Sequence, residues 1–144
     1  MSRKPTGTRE RLLDAACELI AEKGYEATTH QDICDKAGAN IAAINYYFRN
    51  KETLYEAVWE RAADLADTRH PVPAPGSGTP EEMLTGYVRA RLECVFDDGP
   101  GGWLPRIIFR AVGESDPGQL EHFFQTYLHP KMKGLLEPVR VLLG

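Results

Sequence analysis

Apolar residues recur at spacings of three and four along most of the chain, and no stretch alternates apolar and polar as a strand would. The first such run predicts a helix from Thr8 or Arg9 to Lys23, with Leu12, Ala16, Leu19 and Ile20 on one side and Gly24 as its stop. A shorter run places Ile33, Cys34 and Ala37 on one face. Thr29 is set to cap it, with Asp32 three residues on, and Gly38 suits the left-handed residue that ends such a helix. Asn40 can then cap a third helix from Ile41 to about Phe48, in which Ile44 and Phe48 share a face. Asn50 opens a fourth, from Lys51 to about Asp67, whose inner side is Leu54, Val58, Ala62 and Leu65.

The pattern breaks at His70-Pro71-Val72-Pro73-Ala74-Pro75-Gly76-Ser77-Gly78, where the prolines forbid helix and the glycines add slack. Helix restarts at Thr79-Pro80-Glu81-Glu82, a cap, a proline at the first helical position and a capping-box glutamate. This fifth helix carries Met83, Leu84, Tyr87, Val88, Leu92, Val95 and Phe96 as its apolar set. After an Asp/Gly/Pro loop over 97–102, a sixth helix is predicted from Trp103 to Val112. A seventh opens at Asp116-Pro117 and should be kinked or split by Pro130 and interrupted again at Pro138. The expectation is an all-α chain with a unit at 1–50, a second at 51–144, and the joining loop at 68–79.

Helix, three-residue turn with glycine, helix is the helix-turn-helix arrangement, whose second helix enters the DNA major groove. The exposed positions of that helix, Ile41, Ala42, Ala43, Asn45, Tyr46 and Tyr47, are short, apolar or amide-bearing. Such side chains let the backbone approach the bases, offer methyl contacts to thymine, and allow Asn45 to bond an adenine edge. His30, at the start of the preceding helix, reads as a residue of the same side. Arg3 and Lys4 form a short basic arm that could reach phosphates or the minor groove.

The run from Thr28 through Ala37-Gly38, Ile44, Tyr47-Phe48 and Lys51-Glu52-x-Leu54 resembles the DNA-binding domain of the TetR family of bacterial repressors. The wording from Gly38 to Phe48 is most similar to the CecR-like branch, although Asn45 stands where most members carry tyrosine. The resemblance covers residues 8–66 strongly and 80–144 in pattern only. It implies that Thr29, Tyr47 and Lys51 contact phosphate. It also implies a double-stranded DNA operator with two half-sites, a homodimer, and a C-terminal helical domain that encloses a small-molecule effector. The aromatic set of the later helices would then divide between core and pocket, with Tyr87, Arg91, Trp103, Arg106, Phe109, Phe123 and Tyr127 as the pocket candidates. Arg110 and His122 are further polar candidates. Members of the family run to about two hundred residues and dimerise through their last helices. The second domain is therefore expected to be incomplete here, with the Leu-rich end at Leu135, Leu136, Val139, Leu142 and Leu143 as the available contact.

Composition narrows the function classes. The chain has 144 residues and a net charge of −4, with eight Lys/Arg against seven Asp/Glu over 1–51 and nine against fourteen in the remainder. That balance excludes a general nucleic-acid coat but allows a local basic surface. Three scattered cysteines, Cys17, Cys34 and Cys94, suit reduced thiols and a cytoplasmic chain, and their spacing offers no zinc site. His122 and His129 lie seven apart, a poor metal pair, so neither a metal nor another cofactor is expected. No apolar run reaches membrane-spanning length. No nucleophile triad, P-loop or dinucleotide motif appears, and an enzyme is not expected. The reading is a DNA-binding transcriptional regulator, a ligand-released repressor. The alternative is a helical protein-interaction module without regulated DNA binding.

Overall fold

The computed structural model describes residues 7–114 and 117–144, so the basic arm at Arg3 and Lys4 and the helix start at Asp116 lie outside the described residues. Among those described, every regular element is helical. They are α1 (Thr8–Lys23), α2 (His30–Ala37), α3 (Ile41–Tyr47), α4 (Lys51–Arg69), α5 (Pro80–Phe96), α6 (Trp103–Gly113), α7 (Pro117–Phe123) and α8 (His129–Leu143).

Local chemistry sets the boundaries. Thr29 and Asp32 close a reciprocal capping box on α2, and Gly38 ends it in the left-handed conformation at φ 63°. The Asn40 side chain accepts from the Ala43 N–H and that of Asn50 from the Thr53 N–H, which fixes the starts of α3 and α4. Thr79, Pro80 and Glu82 open α5 as their order predicts. α4 runs two residues past Asp67, to Arg69, before the proline loop stops it.

Proline acts differently at its two late positions. Pro130 has no N–H and cannot follow an unbroken α-helical register, and a π-helical turn at Phe124–Leu128 separates α7 from α8. Its closing bond runs from the His129 N–H to the Phe124 carbonyl. Pro138, expected to interrupt, sits buried inside α8, which continues to Leu143.

The core is continuous. It starts at Leu12, Ala16 and Ile20 of α1, includes Ile33, Ile44 and Phe48, follows α4 through Leu54, Val58 and Ala62, and ends on Ile107 of α6 and Phe123. α6 crosses both α1 and α4. At its end Arg110 donates to the Glu22 carbonyl, and the Glu114 carboxylate accepts from the Glu26 N–H at 3.3 Å. Ion pairs Lys23–Asp32, Lys36–Glu18 and Arg61–Asp14 tie α1 to α2 and α4.

One face departs from the periodic reading. On α5 only Ala90 and Cys94 are buried, while Val88, Leu92, Val95 and Phe96 are exposed. α5 packs mainly on α8, which leaves Val88, Leu92 and Phe96 uncovered among the described residues. Phe109 (84 % exposed) and Val112 of α6 are likewise uncovered.

The corner between α5 and α6 is held by polar bonds. Asp97 accepts from the Gly99 N–H at 2.6 Å and pairs with His70 Nε2 at 2.8 Å, while Arg106 donates to the Asp97 carbonyl at 2.7 Å. A tight turn at Pro100–Gly102 follows, and a Cβ on Gly102 would lie 1.9 Å from the Asp97 carbonyl oxygen. Glycine is required there by close approach.

Candidate functional site

α2 and α3 present the first candidate surface. Ile44 and Phe48 are buried and anchor α3, so its other positions turn outward. Ile41, Ala42, Asn45, Tyr46 and Tyr47 are exposed and Ala43 is half-buried. Tyr46, at 81 % exposed, meets Tyr47 edge-on with ring centroids 5.0 Å apart.

Thr29 is exposed at the start of α2, where its hydroxyl accepts from the Asp32 N–H at 3.1 Å. The Lys23 ammonium at 2.8 Å and the Thr29 N–H hold the Asp32 carboxyl down at about 2. His30 is half-buried, and its Nε2 has no partner among the described residues. The Lys51 ammonium lies over the Tyr25 ring, 4.3 Å from its centroid, which fixes the position of the charge.

A second site lies between α4, the proline loop, α5, α6 and the α7–α8 segment. It is a cavity of about 270 Å³ with a mostly apolar wall that includes Met83, Leu104, Ile108 and Leu135. Of the seven residues expected in a pocket, Tyr87, Arg91, Phe123 and Tyr127 are on this wall. The other three are not. Trp103 is buried in the core, Arg106 is turned to the Asp97 carbonyl, and Phe109 points to solvent. Arg110 is spent on the Glu22 carbonyl, and His122 belongs to a second cleft, of about 410 Å³, shared with Glu56, Glu60, Phe123 and Tyr127.

Helical periodicity alone could not sort these, because adjacent positions 107–109 are all apolar and only their rotation about α6 decides. It also missed Asp67, Cys94 and Lys131, which line the cavity. Burial raises the Cys94 thiol, which donates to the Gly101 carbonyl at 3.0 Å. Burial first, then the Glu60 carboxylate, raises the Tyr127 phenol.

A column of rings links the two regions. Lys51 lies over Tyr25, which stacks on Tyr55 at 4.2 Å. Tyr55 meets Trp59 at 5.5 Å, Trp59 stacks on Phe123 at 4.3 Å, and Phe123 stacks on Tyr127 at 5.5 Å. Phe123 and Tyr127 are cavity wall. The end of α4 that carries Lys51 is therefore in unbroken contact with the cavity.

Residues 12–58, which hold α2, the turn and α3, match the model of the tetR family of bacterial regulatory proteins. That segment is a TetR-family DNA-binding domain. The HTH-type transcriptional repressor KstR2 of Mycolicibacterium smegmatis is 32 % identical over 92 residues, 64 % of this chain and 45 % of that protein. The dual regulator CecR of Shigella flexneri is 44 % identical over 65 residues, 45 % of this chain and 29 % of that one. The chain spans about half the length or less of these TetR relatives. The fold is shared with a TetR/AcrR-family transcriptional regulator of Aquifex aeolicus, with a TM-score of 0.56 at 22 % identity over 94 % of this chain and 81 % of that one. Among the described residues no helix is long and apolar enough to cross a membrane, and no three His, Cys, Asp or Glu side chains gather as a metal site.

Proposed function

We propose that this chain is a DNA-binding transcriptional regulator, a repressor that leaves a palindromic operator when a small molecule fills the cavity. The observation that carries the reading is the doubly capped α2–turn–α3 unit with its outward row of Ile41, Ala42, Asn45, Tyr46 and Tyr47 beside a fixed Lys51. In this reading α3 enters the major groove, with Ala43 beside those residues and Asn45 on a base edge. Thr29, Tyr47 and Lys51 sit on phosphates, and His30 lies on the same side. The N-terminal unit of 1–50 reads DNA and the remainder, 51–144, carries the effector site. A two-fold operator needs two recognition helices one DNA turn apart, about 34–36 Å, so the working form is a homodimer.

The ring column supports α4 as the element that carries cavity occupancy toward DNA. The effector acts by biasing one of two arrangements of α4 against the helix-turn-helix unit.

The test is a fluorescence-anisotropy titration with DNA from upstream of the gene, at several salt concentrations. Lys51→Ala should weaken binding to all sequences alike and lower the salt slope by about one, as loss of one phosphate contact does. Asn45→Ala should change sequence preference and keep the slope. The reverse pattern would overturn the assigned roles. Failure to bind any upstream DNA would favour a helical protein-interaction module, a reading for which the uncovered Val88, Leu92, Phe96 and Phe109 speak.

A further inference from the structure

The charges on the cavity wall point to the chemistry of what fills it. Three charged side chains stand on a mostly apolar wall: Asp67 of α4, Arg91 of α5 and Lys131 of α8. Asp67 is shared, since its carboxylate pairs with the Lys131 ammonium and lies 3.8 Å from the Arg91 guanidinium. One carboxylate thus answers two cations, and the wall keeps one positive charge in excess. Glu56 and Glu60 line the second cleft and reach this wall at the Tyr127 phenol, and neither makes an ion pair with Arg91 or Lys131.

Arg91 has a further unmet need. Its terminal nitrogen donates to the His70 carbonyl at 3.0 Å, yet its Nε–H is buried with no acceptor among the described residues. A buried donor without a partner costs free energy that an incoming acceptor recovers. The Tyr87 ring, 5.8 Å from the guanidinium, and the aliphatic wall offer apolar surface directly beside this charge.

We infer that the cavity takes a small amphipathic monoanion, an apolar body ending in a carboxylate that binds Arg91 and Lys131. A neutral ligand would leave the extra charge and the Nε–H unanswered, and a cationic one would add to the excess. At about 270 Å³ the space suits a body on the order of ten non-hydrogen atoms, each close to a water molecule in size. The inference names the effector class of the site proposed above and rests on that reading for its regulatory meaning.

Isothermal titration of the full chain without DNA tests the class by itself, with decanoate, decanol and decylammonium as probes. Decanoate should bind at least ~10-fold more tightly than either of the others. Arg91→Met and Lys131→Met should each weaken decanoate ~10-fold, the lower end for a hydrogen bond to a charged group, and leave decanol unchanged. Asp67→Asn should tighten decanoate, a gain that damaged folding cannot imitate. Arg91→Met also removes the bond to His70, so its melting curve is taken alongside, and Lys131→Met serves if it fails to fold.

Equal affinity for the three probes, no binding of decanoate, or decanoate binding untouched by Lys131→Met would overturn the inference. If decanoate binds as expected but neither it nor any other carboxylate of a size series releases the protein–DNA complex, the effector-released reading falls and the anion site stands.

Discussion

Trp59 is the ring on which the column between cavity and Lys51 depends, and replacing it separates ring contact from simple filling of space. The side chain is 4 % exposed and touches two rings, Tyr55 at 5.5 Å and Phe123 at 4.3 Å. Its indole N–H is buried without an acceptor among the described residues. Trp59→Phe and Trp59→Leu both delete that N–H, so relief of its desolvation cancels when the two variants are compared. What differs is the ring. Aromatic pairs contribute about 0.5–1.5 kcal/mol each beyond area burial, so losing two of them should leave the Leu variant about 1–3 kcal/mol less stable than the Phe variant.

Urea unfolding reads this directly. With a slope near 2 kcal/mol per molar, the two midpoints should differ by roughly 0.5–1.5 M. Trp103 remains in both variants as a fluorescence probe, and circular dichroism supplies a second signal whose coincidence checks two-state behaviour. Both variants keep the helix-turn-helix core intact and should still bind DNA. The Leu variant should lose most of its response to ligand, whereas the Phe variant should keep it. Coincident midpoints would show that the ring contacts carry no stability of their own. A Leu variant with full ligand response would remove the column as the coupling element.

Three further expectations follow from single contacts. Gly102→Ala forces a Cβ against the Asp97 carbonyl oxygen and should cost about 1–3 kcal/mol by overpacking; a melting temperature equal to the parent's would refute the close approach. Asp32 titrates at about 2 when folded against an ordinary 3.8, so its contribution to stability is complete above pH 3.8 and is lost as pH falls through 2. The stability gap between the parent and Asp32→Asn should therefore be constant above that window and close within it, and a pH-independent gap would sink the assignment. Phe96→Glu with Phe109→Glu places charge on two rings that are 79 % and 84 % exposed. The double variant should fold normally and sediment as a smaller species than the parent if that face pairs in the dimer. An unchanged sedimentation coefficient would return the contact to Leu136, Leu142 and Leu143.

Legibility of the chain followed the range of the forces involved. Caps and stops are local, and Thr29, Gly38, Asn40, Asn50 and Thr79 each act where the order of residues places them. Apolar spacing identified α1 and α4 because each has one buried stripe and a largely polar remainder. The same rule failed on α5, which is apolar around most of its surface, so that spacing could not say which side meets α8. It failed on α6 for a related reason, since Ile107, Ile108 and Phe109 are consecutive and occupy core, cavity and solvent in turn. The outward row on α3 was readable because its anchors, Ile44 and Phe48, are unambiguous and the exposed residues follow by exclusion. The cavity was half readable. Its aromatic members stand out by type, but Asp67 and Lys131 come together only through the π turn that sets the direction of α8.

That meeting of charges bears on how a small cavity could govern a DNA surface. A ligand that weakens operator binding a hundredfold must favour one arrangement of the chain over another by about 2.7 kcal/mol. One hydrogen bond to a charged group, about 1.5–3 kcal/mol, is of that size, provided it forms in only one arrangement. Arg91 is placed for such a choice, because its terminal nitrogen already holds the carbonyl of His70, the residue that caps α4. An anion that takes this donor away from His70 trades one bond for the other and frees the end of α4. An anion that uses only the vacant Nε–H leaves the bond to His70 in place and binds both arrangements alike. However tightly that second ligand binds, it shifts nothing. Affinity and release should therefore diverge across a series of carboxylates, and the ones that release DNA will be those whose headgroup displaces the His70 carbonyl.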